Sequence, residues 1–202
     1  MMIAKARRTP PTPTVDIQYV ADPTGRDTIS FQTTEAETGF DIWLMRPERP
    51  TEPPVHLLSS AATEGEADIS PDGRWLAYGS NESGRREIYM VSLPDAKIKY
   101  QVTTEGAEYP MWTQGGRELI FVNLARAVVV VPVTLGDSLA FGSPVTLFPR
   151  PRSNWGASGE TSGLEVSADG SRFEVLEPES QGSQTLLVVT NWLAELDEGV
   201  QK

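Results

Sequence analysis

One histidine and no cysteine set the limits of the chemistry this chain can perform. A histidine-dependent triad or zinc site would rest on His56 alone, which stands between Pro54 and Leu57 in a strand-like run and is read there as structural. The missing cysteine excludes disulfides and thiolate metal sites. "GASGETSG" at 156–163 comes near a Gly-x-Ser-x-Gly nucleophile turn but misses its spacing. No Gly-rich phosphate loop and no kinase catalytic loop is present, so the residues predict no catalytic, cofactor-binding or metal-ligating group, and a chain that is not an enzyme.

The acidic and aromatic residues are read as structural first. Asp72 and Asp169 occupy equivalent turns, where Pro71 presets a corner φ, Asp72 accepts from a following backbone N–H, and Gly73 takes a positive φ. Gly116 and Gly170 are the corresponding turn glycines of two further copies. Trp43, Trp75 and Trp192 lie inside apolar runs and are assigned to packing between repeats. Trp155 differs, because "PRPRSNWGASGETSG" is a loop of turn formers; Arg150, Arg152, Asn154 and Trp155 are its candidate protein-binding residues. "GRR" at 84–86 and "PRPR" at 149–152 are the basic clusters, read as solvated faces or partners for carboxylates.

The elements that position these residues recur. "SPDGRWLAY" at 70–78 is answered by "TQGGRELIF" at 113–121 and "SADGSRFEV" at 167–175, with a weaker copy in "ADPTGRDTISF" at 21–31. Ser70 and Thr113 are 43 residues apart, and Thr113 and Ser167 are 54. A period in the forties with four short strands per unit is the signature of β-propeller blades. In the clearest copy the strands fall near 66–70, 75–80, 87–93 and 98–103, joined by turn-forming connectors. The third strands are "DIWLM" at 41–45, "EIYMV" at 87–91, "AVVVVPV" at 127–133 and "TLLVVTNW" at 185–192, near-continuous apolar runs suited to burial on both faces.

Composition agrees with an all-β class. The 202 residues include 17 Gly and 16 Pro, too many for long uninterrupted helices. Net charge is −11 although three basic residues precede Val15, a poor surface for nucleic acid or anionic lipid. No signal peptide or membrane span is legible, so no membrane insertion is expected. The expected layout is a disordered segment at 1–15, blades at 16–59, 64–104, 106–149 and 163–192 within 16–197, and a tail at 198–202.

The run "EADISPDGRWLAYGSNESGRREIYMV" followed by "EYPMWTQGGRELIFV" resembles the WD-repeat-like propellers of the TolB type. With "PVTLF", "VSADGSRF" and "LLVVTNWLAEL", the order is similar to the carboxy-terminal half of propellers attached to bacterial serine/threonine kinases or related sensor proteins. "TQGG" lacks the Pro-Asp pair of that pattern. The resemblance implies a ring of six or more blades, of which about four are here, and an extracytoplasmic setting. Unpaired edges near 16–22 and 185–192 would then be completed by upstream blades or by a second copy.

Two functions follow as expectations. One is a non-enzymatic sensor or interaction module, binding a protein or peptide through the loops at 59–66 and 149–163 and needing no cofactor. The other is a regulatory part of a kinase or peptidase whose catalytic domain lies outside this chain, or an incomplete propeller.

Overall fold

The computed structural model describes residues 15–20, 28–35, 38–135, 139–149, 164–167, 170–178 and 184–190. The chain folds as antiparallel β-sheets stacked in sequence order, the arrangement of propeller blades. In the first, β1 (Val15–Val20), β2 (Thr28–Glu35), β3 (Gly39–Met45) and β4 (Val55–Leu58) lie in that order. The second repeats it with β5 (Glu64–Ile69), β6 (Trp75–Ser80), β7 (Glu87–Ser92) and β8 (Lys99–Gln101).

The third sheet contains β9 (Ala107–Thr113), β10 (Glu118–Asn123) and β11 (Ala127–Thr134). Both β12 (Ala140–Phe141) and β13 (Val145–Pro149) pair with β11. The fourth sheet holds β14 (Leu164–Val166), β15 (Arg172–Pro178) and β16 (Gln184–Thr190).

Strand alternation explains the stacking. In β6 and β7, Leu76, Tyr78, Tyr89 and Val91 pack against Ile42 and Leu44 of the first sheet. The alternate residues Trp75, Ala77, Ile88 and Met90 pack against Leu119, Phe121, Val129 and Val131 of the third. Ile120, Val122, Val128 and Val130 then meet Leu164 and Phe173 of the fourth. Sheets buried on both faces need apolar residues at every position, which is why these strands read as continuous runs. Each fully buried aliphatic side chain contributes about 1.5–3 kcal/mol.

The first strands converge: β5 touches β1 and β9 touches β5. Side chains bridge them. Asp68 Oδ2 accepts the Trp112 amide at 2.7 Å, and Glu66 Oε2 accepts the Tyr109 amide at 2.9 Å. Glu66 and Tyr109 both hold a left-handed backbone, φ 55° and 58°, where β5 and β9 each slip register. A bulge frees an amide from its ladder, and the preceding sheet supplies the acceptor; for Glu66 that acceptor is Gln32 Oε1 at 3.1 Å.

Two features bear on how the array is completed. Trp43 alternates with Ile42 and Leu44 and so lies on the face turned away from the second sheet, stacked between Phe31 and His56. β1 and β16 are terminal strands of their own sheets, at the edges expected near 16–22 and 185–192, and the first sheet in addition leaves a face without a stacked neighbour among the described residues.

Candidate functional site

The Pro-Asp-Gly turn is built as its residues dictate. Gly73, at φ 70°, donates its amide to the Ser70 carbonyl at 2.8 Å. Asp72 Oδ1 accepts from the Ser70 hydroxyl at 2.6 Å and from the Arg74 amide at 3.1 Å, while Oδ2 accepts from Arg74 Nε at 2.7 Å. Burial pushes the Asp72 carboxyl up, but the bonds from Ser70 and Arg74 outweigh it and hold it below the usual range. The turn of the fourth sheet repeats the device, with Gly170 at φ 71° donating to the Ser167 carbonyl at 2.7 Å.

Gly116 has φ 87°, and a Cβ there would lie 3.3 Å from Pro71 Cδ, so the turns of the second and third sheets abut. Asp169 and the proposed loop residues Arg150, Arg152, Asn154 and Trp155 lie outside the described residues.

Asp72, Gly73 and Arg74 form one wall of a cleft of about 290 Å³ between the first and second sheets. The β3–β4 connection forms the other, through Arg46 and Glu52. Leu44, Met45, Val55, Leu93 and Pro94 make its apolar lining. That connection is two turns in series: the Arg49 amide donates to the Arg46 carbonyl and the Glu52 amide to the Arg49 carbonyl, each at 2.9 Å. Pro47 and Pro50 stand at the first corner of each, so "RPERPTE" at 46–52 was the sequence signal for this wall. Unlike the Asp72 turn, this double turn has no counterpart in the other copies of the repeat, so nothing in the repeat pattern marks it as a site.

The rim charges are unequally engaged. Arg74 is held by Asp72, and Arg49 Nη1 donates to Glu52 Oε1 at 3.1 Å. Arg46 reaches Glu52 only as an ion contact at 3.8 Å, beyond hydrogen-bonding distance, with its side chain 38% exposed.

A second polar cluster occupies the other end of the same junction. His56 Nε2 lies 3.0 Å from Asp41 Oδ2, and its ring stacks on Trp43 with centroids 4.0 Å apart. Trp43 Nε1 donates to Thr33 Oγ1 at 2.9 Å. Next to them Glu64 is buried and accepts from the Ser60 hydroxyl, while its Oε2, Asp41 Oδ1 and the Tyr78 hydroxyl make no hydrogen bond among the described residues. Desolvation raises the Glu64 carboxyl, and the Asp41 and Glu82 charges add to it against the opposing Ser60 bond. Burial likewise raises the Tyr78 phenol.

In the loop at 59–66, Ser59 to Ala61 are exposed, and the Ala62 amide donates to Ser60 Oγ at 3.0 Å and the Thr63 amide to Asn81 Oδ1 at 2.9 Å. The basic run at 84–86 is paired: Arg85 Nε donates to Glu87 Oε1 at 2.8 Å, and Arg86 Nη2 lies 3.1 Å from Glu66 Oε1. Among the described residues no helix is long and apolar enough to cross a membrane.

No family model matches the sequence, and no curated protein matches it. Solved structures do. TolB from Acinetobacter baumannii superposes with a TM-score of 0.62 at 19% identity, over 87% of this chain and 41% of that one. An oligogalacturonate lyase in complex with manganese gives 0.62 at 15% identity, over 88% of this chain and 48% of that one. A puromycin-hydrolysing peptidase of Mycobacterium tuberculosis gives 0.53 at 20% identity, over 84% and 29%. The chain thus spans less than half the length of these structures, and at such identities the likeness shows the fold.

That likeness corrects one expectation. One histidine, no cysteine and no phosphate loop pointed to a chain that is not an enzyme, yet the same fold is found in a lyase and in a peptidase. Propellers gather functional groups from the loops of several blades, so missing short motifs do not mark one as inert.

Proposed function

We propose that this chain is a segment of β-propeller, with blades at 16–59, 64–104, 106–149 and 163–192, that binds a protein or peptide at the blade end carrying the Pro-Asp-Gly turn. The observation that carries the reading is the cleft of about 290 Å³ between two stacked sheets, with an apolar patch from Leu44, Met45, Val55 and Leu93 and a rim of Arg46, Arg74, Glu52 and Asp72. Ligand sites are concave and apolar with few placed polar groups, and a stacked scaffold fixes them at little entropic cost.

The test is selection of displayed peptides on the immobilised protein, followed by binding to Val55→Asp, a substitution at a mouth residue that is 51% exposed. Enriched peptides should lose about tenfold or more in affinity on this variant. No enrichment, or binding indifferent to Val55→Asp, overturns the reading.

A second reading makes these blades the regulatory part of a longer kinase or peptidase, in an extracytoplasmic setting. The peptidase, of which this chain spans 29%, favours it. Attaching the flanking coding sequence and assaying the longer product decides between them. Ring completion by further blades or a second copy belongs to both readings, since the first sheet keeps an aromatic face with no stacked neighbour among the described residues.

A further inference from the structure

We infer that the cleft between the first two sheets takes the free carboxylate of an apolar group, such as the chain-terminal residue of a peptide ending in Leu or Phe. This rests on the binding reading above and names the chemistry of its ligand. Three features carry it.

The first is the state of the rim. Glu52 has Arg49 at 3.1 Å and Asp72 has Arg74 at 2.7 Å, so each rim carboxylate is balanced by its own arginine. Arg46, whose only charge partner among the described residues is Glu52 at 3.8 Å, keeps its guanidinium donors for another acceptor. A planar guanidinium matches a carboxylate through two parallel N–H···O bonds, and a partly exposed one forms that pair at small desolvation cost.

The second is the lining. Leu44, Met45, Val55 and Leu93 offer nothing to a hydrated ion and fit an apolar body beside the charge. Val55, half exposed at the mouth, is the surface such a body would cover.

The third is size. A cavity of about 150 Å³ holds a benzene molecule. A cleft of about 290 Å³ therefore takes one large side chain with its carboxylate, and it is too small for a folded segment. An internal residue of a peptide brings the side chain without the charge, so the chain end is the part that satisfies both halves of the site.

Fluorescence anisotropy with a labelled hexapeptide ending in Phe as the free acid, the same peptide as its terminal amide, and unlabelled N-acetylphenylalanine as competitor tests this. The acid should bind about tenfold or more tightly than the amide. Arg46→Gln should bring the two to equal affinity, and Arg46→Lys should keep part of the difference, since a point charge replaces the fork. Displacement by N-acetylphenylalanine identifies the carboxylate-bearing residue itself as the ligand; discrimination without displacement identifies the peptide end, with upstream residues contributing. Equal binding of acid and amide by the native protein, no binding of either, or discrimination that survives Arg46→Gln overturns the inference. Display-selected peptides that still depend on Val55 in that case would leave the binding reading standing.

Discussion

Glu87 and Asp41 begin the matching apolar runs at 87–91 and 41–45 in the third strands of the second and first sheets, and both are about 1% exposed, yet they are satisfied unequally. Each Glu87 oxygen lies 2.9 Å from the Gly106 amide, and the carboxylate also accepts from Thr103 Oγ1 at 2.6 Å and Arg85 Nε at 2.8 Å. Asp41 has His56 on Oδ2 and nothing on Oδ1 among the described residues. One strand position thus poses one electrostatic problem with two solutions. The second sheet closes it with a guanidinium, a hydroxyl and the amide that begins the next sheet. The first sheet leaves it to a single imidazole contact, on a face with no stacked neighbour among the described residues. The lesson is that the buried carboxylate of the second sheet is held by several donors at once, while that of the first depends on one.

The largest effect expected from breaking this contrast is at Glu87. Glu87→Ala strands the buried Gly106 amide while the half-exposed Arg85 returns to water, and losing charge-assisted bonds to a buried carboxylate costs about 1.5–3 kcal/mol. Chemical denaturation should show a loss of that order; a loss below about 1 kcal/mol would mean that the network contributes little. Asp41→Ala removes one partner of a half-exposed imidazole and should cost less, about 1–2 kcal/mol. Equal losses at the two positions would cancel the distinction between the sheets.

A pH series sharpens it further. The Glu64 carboxyl is raised by desolvation, so the folded protein retains a proton that the unfolded chain releases. Its contribution to stability is present below the ordinary Glu range and is lost as pH rises through the raised value. Glu64→Gln cannot ionise, so its melting temperature should fall less than the native protein's across that window. Asp72 carries the opposite sign: its lowered value stabilises above the ordinary Asp range, and that contribution fades as pH drops. Asp72→Asn should therefore lose ground near neutrality and little in acid.

The smallest expected effect is at Tyr78, which is wholly buried with its hydroxyl unbonded among the described residues. Tyr78→Phe discards a desolvated group and keeps the ring, so stability should change by less than about 1 kcal/mol or rise. A loss of several kcal/mol would reveal a partner for that hydroxyl.

Much of this was legible in local sequence. Trp75 to Ser80 was read as a strand with the ends the structure gives it, because the turn on either side is coded within a few residues. The Asp72 turn and the pairing of Arg85 with Glu87 are local in the same way, whereas Arg86 pairs with Glu66, twenty residues away on β5. The last strand of the second sheet was drawn too long, at 98–103 against Lys99–Gln101, because an outermost strand has one partner and half-exposed residues to define its limits. Composition marks the loops at 59–66 and 149–163 without fixing their conformation: the first is exposed at Ser59 to Ala61 and held by Ser60 and Asn81, and the residues at 150–155 lie outside the described ones.

The sequence alone determined the strands, the turn at Ser70 to Gly73 and the order in which sheets follow one another, because a turn's φ values and a strand's alternation are set by neighbours a few bonds away. Only the tertiary structure decided that Arg46 and Asp72 line one cleft, that His56 meets Asp41 and Trp43, and that Glu64 is buried with no cation paired to it among the described residues. Those meetings depend on how far one twisted sheet is displaced when it stacks on the next. That displacement is fixed by Ile42 and Leu44 packing against Leu76, Tyr78, Tyr89 and Val91, and no short stretch of the chain contains both sides of that contact.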